Sequence, residues 1–384
     1  MRKVMAAIIV ILFLASITSI AIPVSAAKPI HVYLGQSIQA AITTAGSGGM
    51  VIVHAGEYHQ SVVISYSIVL ISDGAILDGT PPADAGTTLT YDAIRIEEGA
   101  SDVTIKYFEI RDYRDTGDGQ GNGIQAWNRG TSNIKIIGNT IHDNSWNAIL
   151  VGNEGEGLHV GWEIKDNTVY NNDFYNIEIT NGKDCVIAGN TVTGPGGIYA
   201  VGILVQARNI GYGYLGDLPP LEVTSSGIVV ANNVVSGFSG DLRTGIYLLA
   251  CAGLGSDRKA FLKDVRVSSD NEVYDNRYGI FAWGVVGYGA PFNGIGRVEN
   301  IRVTDNSVHD NVWDGIRFLG TYDSLVSDNS VLSNGRDGIR MSLGSSGNQI
   351  SDNTALNNAR YDLNNDDTAG LNVWKDNVYG TSYP

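Results

Sequence analysis

A short pattern, an Asn followed two residues later by an aliphatic residue, recurs along most of this chain. Its last three copies read VTDNSVHDN at 303–311, VSDNSVLSN at 326–334 and ISDNTALNN at 350–358. The spacing is 23 or 24 residues there and ranges from 23 to 43 residues in the earlier copies. The first Asn of each copy is Asn139, Asn167, Asn190, Asn233, Asn271, Asn306, Asn329 and Asn353. Such a period indicates a repeat architecture in which each turn of chain stacks on the previous one.

A second motif, the Gly-Ile mark, also recurs along the chain. It consists of a small residue followed by an Ile, and it begins a short apolar segment after each Asn. The tetrapeptide Asp-Gly-Ile-Arg, at Asp314–Arg317 and Asp337–Arg340, holds two copies of this mark that start 23 residues apart. A unit of this size cannot bury its own apolar face. Stacked units can, if each strand pairs in parallel with the next coil about 4.8 Å away. The sequence therefore predicts that Ile316 and Ile339 touch across adjacent coils.

Composition agrees with strands and turns rather than helices. Gly accounts for 48 of the 384 residues, and Val and Ile dominate the apolar set. A helical pattern appears only near Ser37–Thr44. The Asn repeats predict ladders of hydrogen-bonded side chains, and a second ladder is expected five residues after the first. Its members are Asn144, Asn172, Asn276, Asn311, Asn334 and Asn358. A leucine-rich-repeat horseshoe is the competing solenoid, but its Leu-rich signature is absent.

With these recurring Asn and Gly-Ile motifs, the chain resembles the right-handed parallel β-helix of the pectin-lyase-like superfamily, including the repeats shared by carbohydrate-binding proteins and sugar hydrolases. The segment SIQAAI at 37–42 is similar to the amphipathic helix that caps the N-terminal end in that family. The segments at 48–65 and 67–79 resemble the first coils. The resemblance implies an all-β solenoid of roughly eleven coils and a function in polysaccharide chemistry. It does not select one activity, because this architecture carries many.

The N-terminus resembles a secretory signal peptide. Arg2 and Lys3 precede an apolar run from Ala6 to Ile22, and Val24-Ser25-Ala26 offers a cleavage site before Ala27. We therefore expect a signal peptide at 1–26 and one β-helix domain at 27–384. The mature protein would be secreted or held at the cell surface, without membrane insertion. The alternative is an uncleaved membrane anchor.

The net charge of −15 makes nucleic acid and anionic lipid poor partners. An acidic polysaccharide would also be repelled unless Ca²⁺ or a local basic patch intervenes. Cys185 and Cys251 are too few for a disulfide scaffold. They fall at different points of the repeat, so we predict two free thiols.

Alternation along the Gly-Ile strand separates inward from outward positions. The inward column is apolar throughout and reads Ala126, Val151, Ile179, Val205, Leu248, Ala282, Phe318 and Met341. The outward positions hold the candidate substrate-binding aromatics Trp127, Tyr247, Phe281 and Trp283, together with Glu178, Arg317 and Arg340. Long insertions follow this strand, and loops on one side of a sheet face would form the wall of a groove suited to sugar rings.

The paired Arg and Asp residues allow two interpretations. Stacked ion pairs could simply keep like charges apart. Alternatively, these residues form a site for a polysaccharide. The resemblance implies lyases in which Arg or Lys acts beside Ca²⁺ held by Asp, so Arg317 and Arg340 are candidates for base and anion stabiliser. A hydrolase would need paired carboxylates, for which Asp314, Asp337 and Glu178 are candidates. The superfamily's hydrolase signatures are missing, and no lyase motif stands out either. If the protein is an enzyme, we favour a lyase over a hydrolase.

One loop could bind a metal ion. RDYRDTGDGQGNG at 111–123 places Asp112, Asp115 and Asp118 on a Gly-rich insertion that could wrap Ca²⁺. A solvated acidic loop is the alternative. The Asp that precedes many ladder Asn residues, such as Asp305 and Asp328, is expected to serve the turn itself. The sequence thus predicts a polysaccharide-binding protein, with elimination or hydrolysis as its chemistry if it is an enzyme. The alternative is a non-catalytic adhesion or envelope-scaffold protein.

Overall fold

A computed structural model describes residues 28–383, apart from 88, 115–120, 128–129, 153–156, 195–199, 210–221, 242, 254–257, 286–293, 343 and 367–370. The predicted signal peptide lies outside the described residues. Within them, the chain winds as a solenoid of parallel strands, and each coil contributes one strand to each of several faces.

Three sheets form these faces. The twelve-stranded sheet comprises Val62–Ile64, Ile94–Ile96, Ile124–Ala126, Ile149–Val151, Tyr175–Thr180, Val201–Asn209, Thr244–Ala252, Tyr278–Gly284, Ile316–Leu319, Asp337–Ser342, Tyr361–Asn365 and Ser382–Tyr383. The six-stranded sheet comprises His159–Val160, Gly182–Lys183, Glu222–Ser226, Lys259–Lys263, Ile295–Glu299 and Thr321–Tyr322.

The 23-stranded sheet covers the remaining sides of the tube in two strips. It comprises Ile30–Val32, Gly49–Tyr58, Ile68–Asp78, Val103–Lys106, Glu109–Arg111, Lys135–Ile137, Thr140–His142, Glu163–Lys165, Thr168–Tyr170, Val186–Ala188, Thr191–Thr193, Val229–Ala231, Val234–Ser236, Arg266–Ser268, Glu272–Tyr274, Arg302–Thr304, Ser307–His309, Leu325–Ser327, Ser330–Leu332, Gln349–Ser351, Thr354–Leu356, Val373–Lys375 and Val378–Tyr379. The strips are joined through the long strands Gly49–Tyr58 and Ile68–Asp78.

The predicted register is confirmed. Ile316 and Ile339 are Cα partners in adjacent parallel strands, and Arg317 pairs with Arg340 in the same way. The inward column from Ala126 to Met341 is fully buried at every position. These side chains belong to one continuous hydrophobic core that runs through the solenoid.

The small residue before each Ile has a packing reason. A Cβ on Gly315 would lie 2.6 Å from Val331 Cγ1 and 2.7 Å from Asn334 Nδ2. Those contacts are shorter than van der Waals separation, so the corner between two strands closes only because Gly has no side chain.

Both predicted Asn ladders are present. In the first ladder, Asn306 donates from its backbone N–H and its side-chain amide to Asn329 Oδ1, at 3.1 and 2.9 Å. Asn329 repeats the arrangement toward Asn353. The second ladder has two segments, since Pro195 and Phe238 stand at the corresponding sequence positions between Asn172 and Asn276. The Asp before the ladder Asn has a left-handed backbone, with φ of 56° at Asp305 and 58° at Asp328. This conformation agrees with the prediction that these Asp residues serve the turn, because Asp tolerates a left-handed backbone.

The predicted helix spans Ile38–Ala45, and its N-cap Ser37 accepts a hydrogen bond from the Ala40 N–H. Ile38 and Ile42 are fully buried against the first coil. Among the described residues, no helix has the length and apolar character needed to cross a membrane. Cys185 and Cys251 are buried free cysteines, as predicted.

Candidate functional site

Near the C-terminal end of the twelve-stranded sheet, charged side chains gather around two buried aspartates. Asp314 is fully buried, yet three guanidinium groups surround its carboxylate. The nearest N···O distances are 3.8 Å to Arg317, 3.7 Å to Arg336 and 3.8 Å to Arg340. These separations are within ion-pair range but exceed hydrogen-bond length.

Asp337, one coil further on, is bound much more tightly. Arg360 donates two hydrogen bonds to its carboxylate, both 2.9 Å long, and the Asn364 amide donates a third at 2.8 Å. The Arg340 guanidinium lies 3.8 Å away and donates instead to Asp366. Asp337 is therefore a satisfied structural anion that fixes Arg360.

The polar atoms around Asp314 are left without hydrogen-bond partners among the described residues. They are Asp314 Oδ2, Arg317 Nε, and Nε and Nη1 of Arg340, all shielded from solvent. Burial raises the pKa of Asp314, although the three arginines oppose that shift. Burial lowers the pKa of Arg340, but the hydrogen bond to Asp366 and the nearby aspartates outweigh burial, so its pKa is raised. Unsatisfied buried polar groups are rare in native proteins and call for an explanation.

A rim of arginines flanks this cluster at the corner where the chain enters the sheet. Arg277 and Arg336 both lie against the Trp313 ring, with guanidinium carbons 4.0 and 5.3 Å from its centre. Trp313 therefore holds two cations, one from the coil on each side. With Arg317, Arg340 and Arg360, five arginines lie within a few coils of a chain whose net charge is −15.

Aromatic rings continue the face toward the N-terminal side. Tyr247 and Phe281 stack with ring centres 5.3 Å apart, and Trp283 lies 6.0 Å from Phe281. Tyr278 packs on Phe281, and its hydroxyl accepts a 3.0 Å hydrogen bond from Arg317. Three of the four predicted substrate-binding aromatics thus lie together beside the arginines, and the side chain of Tyr278 joins them.

Glu178 lies elsewhere on the same sheet. Four inter-strand steps separate its strand from that of Arg317, which corresponds to about 19 Å. Its carboxylate accepts hydrogen bonds from Asn147, Thr180 and Gln206 at 2.7–2.8 Å. Burial raises the pKa of Glu178, and these bonds oppose that shift. Glu178 cannot pair with Asp314 for glycoside hydrolysis, which needs carboxyl groups within about 10 Å.

The remaining predicted site residues are dispersed. Trp127 follows the strand Ile124–Ala126, five strands before that of Trp283. Asp112 accepts a hydrogen bond from Arg114 at 2.9 Å, whereas Asp115 and Asp118 lie outside the described residues. In the part of the chain that the structure describes, no group of three or more His, Cys, Asp or Glu residues could hold a metal ion.

Sequence reasoning missed the rim residues Arg277, Trp313, Arg336 and Arg360. Their alignment just after the second-ladder Asn could have revealed them: Arg277 follows Asn276, and Trp313, Arg336 and Arg360 each lie two residues after an Asn.

The parallel coils, continuous core and Asn ladders define a right-handed parallel β-helix, with an arginine- and aromatic-rich outer face. The family model described as "Right handed beta helix region" matches residues 59–205, 92–287 and 221–382. The chain therefore belongs to the right-handed β-helix family, and the right-handed parallel β-helix fold that the resemblance implied is confirmed. No curated protein sequence matches the chain.

Solved structures with the same fold include several carbohydrate-active proteins. The A-module of a mannuronan C-5 epimerase from Azotobacter vinelandii is 16% identical, with TM-score 0.55, covering 89% of this chain and 90% of that one. A periplasmic alginate epimerase is 15% identical, with TM-score 0.60 and coverage of 93% and 77%. The catalytic domain of an α-1,3-glucanase is 14% identical, with TM-score 0.61 and coverage of 92% and 65%. At these identities the likeness establishes the fold.

Proposed function

We propose that this protein is secreted or displayed at the cell surface and binds an acidic polysaccharide along the C-terminal half of the twelve-stranded sheet. One observation carries the proposal: arginines with unpartnered N–H groups lie beside stacked aromatic rings on a single face. Guanidinium groups pair with carboxylates, and aromatic rings pack against sugar faces. The alginate-acting proteins of the same fold add support.

The arrangement favours binding over catalysis. Arginine is a poor base in proteins, and the raised pKa of Arg340 makes it a poorer one. Asp314 and Asp337 are fully buried, so neither carboxylate reaches a polymer lying on the face. Arg317 and Arg340 would serve as carboxylate ligands, and the same contacts would stabilise the anion if elimination occurred.

The binding role would divide four of the five arginines into two groups, while Arg277 is paired with Asp241. Arg336 and Arg360 have side chains that are 28% and 42% exposed and can meet the polymer first. Arg317 and Arg340 lie deeper: Arg317 Nε and Arg340 Nη1 face the Asp314 carboxylate, and the polymer would meet the parts of these side chains that stay exposed, 16% and 10%. Asp314 would hold these two guanidinium groups in place without neutralising either fully.

The experiment is a binding panel of alginate, polygalacturonate and α-1,3-glucan, each with and without Ca²⁺. We expect the two acidic polymers to bind and the neutral glucan not to bind. The double variant Arg317→Ala/Arg340→Ala should weaken binding at least tenfold, and added salt should weaken it further. The control Arg95→Ala/Arg297→Ala removes the same charge from arginines paired to Glu97 and Glu299 elsewhere; it should bind as wild type.

The same samples test turnover by the absorbance of new double bonds and by new reducing ends. Acidic-polymer binding without either signal would establish a non-catalytic binding protein, in line with the adhesion alternative. New double bonds that vanish in the Arg317→Ala/Arg340→Ala variant would establish a lyase. If neither acidic polymer binds the folded wild-type protein, the proposed function is wrong.

A further inference from the structure

A second group of arginines lies on the outer face of the 23-stranded sheet. Elsewhere on that face, one register position alternates in sign between adjacent coils, because Lys135 lies opposite Glu163. Glu163 pairs with Lys135 of the preceding coil at 3.0 Å and with Lys165 on its own strand at 2.6 Å. This alternation is expected, since opposite charges in register stabilise paired strands and like charges destabilise them.

Arg266 and Arg302 break this alternation. They are Cα partners in adjacent strands, so their side chains emerge about 4.8 Å apart. Both residues are exposed, and no ion pair or side-chain hydrogen bond joins either one to another residue that the structure describes. Two like charges are therefore stacked, and neither forms an ion pair with a residue that the structure describes.

The arginine pair opens into a cleft of about 350 Å³, also lined by Gly227, Val229, Asp264 and Asn300. The Asn300 amide donates to the Asp264 carboxylate, so that acid is already engaged. Asp264 removes one of the two positive charges, which leaves the cleft with a net charge of +1. Its volume is at the lower end for small-ligand pockets and suits one sugar unit.

This cleft faces away from the arginine cluster of the twelve-stranded sheet. Along the coil, Arg266 precedes the first-ladder Asn271 and the second-ladder Asn276, and only then does the chain reach Tyr278–Gly284. Two corners of the tube therefore separate the faces. A short saccharide cannot touch both sites at once.

We propose that Arg266 and Arg302 form a second oxyanion site, which takes the carboxylate or sulfate group of an acidic saccharide. The nature of the saccharide rests on the proposed function, whereas the site itself rests on the unpaired arginines and their cleft. With two sites on separate faces, one solenoid would hold two polymer chains and cross-link them.

The test titrates the full chain with trigalacturonate, and separately with inorganic sulfate against chloride at equal ionic strength. Wild type should bind two molecules of trigalacturonate per chain. Arg302→Glu should bind one, because the new carboxylate pairs with Arg266 and restores the charge alternation seen at Lys135 and Glu163. That substitution should also preserve folding, and Arg266→Gln/Arg302→Gln provides a neutral second variant with the same expected loss.

The outcomes separate the two proposals. If Arg302→Glu removes the binding of one trigalacturonate molecule, the ligand of this site is a carboxylate. If Arg302→Glu removes sulfate binding, the ligand is a sulfate group. If folded Arg302→Glu and Arg266→Gln/Arg302→Gln both bind each probe as wild type does, the second site is wrong. Failure of the proposed function has a different signature, since Arg317→Ala/Arg340→Ala would then leave trigalacturonate binding unchanged.

Discussion

Two buried acidic side chains on the twelve-stranded sheet, Glu178 and Asp314, have opposite surroundings. In the N-terminal half, Glu178 receives a hydrogen bond from each of three neighbouring side chains. In the C-terminal half, Asp314 lies among three arginines at 3.7–3.8 Å and retains an unpartnered oxygen. A satisfied network rigidifies the fold, whereas unsatisfied buried polar groups call for an explanation, and the one we propose is ligand binding. The contrast supports a stabilising role for Glu178 and is consistent with the binding role that we propose for the surroundings of Asp314.

The largest expected effect on the free energy of unfolding comes from removing the hydrogen-bonded carboxylate of Glu178. Glu178→Ala would leave the buried donors of Asn147, Thr180 and Gln206 without their acceptor, at a cost of about 3 kcal/mol or more in the free energy of unfolding. Denaturant unfolding measures this loss. Glu163→Ala, in a partly exposed pair with Lys135 and Lys165, should cost less than about 1 kcal/mol.

A Glu178→Ala protein of unchanged stability that no longer binds polysaccharide would contradict the contrast. It would assign Glu178 to the binding site despite its distance from Arg317.

Asp314 and Asp337 provide a sharper comparison, because they occupy equivalent positions in adjacent coils. Asp337→Asn removes the charge that Arg360 and Asn364 bind directly, so we expect a loss of about 2 kcal/mol in unfolding free energy. Asp314→Asn should change stability by less than about 1 kcal/mol, because burial disfavours the charged carboxylate and no strong hydrogen bond is lost. Both variants are compared by denaturant midpoint at neutral pH. Equal losses would show that the longer contacts of Asp314 are as stabilising as the short ones of Asp337.

The sequence predicted the features that depend on period alone. The pairing of Ile316 with Ile339, the buried inward column and the Asn ladders follow from residues that recur at fixed spacing. The six-stranded sheet was missed, because its strands lie in segments of unequal length between the Gly-Ile mark and the next Asn. Side-chain partners were also missed. Whether Arg340 reaches Asp337 or Asp366 depends on rotamers across coils, which the period does not specify.

Outward position also proved a poor guide to exposure. Leu150, Leu204 and Glu178 alternate outward on the twelve-stranded sheet, yet each is buried. Alternation gives the direction of a side chain, but it cannot show what another segment covers. The sequence therefore predicted that Arg317, Arg340 and the aromatic residues lie on one sheet, whereas the separation of Glu178 from the arginine cluster required the structure.

The smallest expected effect is on the pH dependence of the C-terminal site. The pKa of Asp314 is raised in the folded protein, above its ordinary value of about 3.9. The folded state thus binds more protons than the unfolded state between these two values. Lowering the pH through the folded value should therefore stabilise wild type relative to Asp314→Asn.

Protonation of Asp314 would also remove the negative charge of its carboxylate, which lies beneath Arg317 and Arg340. Binding of an acidic oligosaccharide should accordingly strengthen as the pH falls from neutral toward the pKa of Asp314, by about 1 kcal/mol or less for a partly solvated charge. Calorimetric titration of trigalacturonate at several pH values, with Asp314→Asn alongside, measures the difference. The variant carries no charge at this position, so its affinity should stay nearly constant over the same range. A parallel rise in both proteins would place the titrating group elsewhere and remove Asp314 from the binding site.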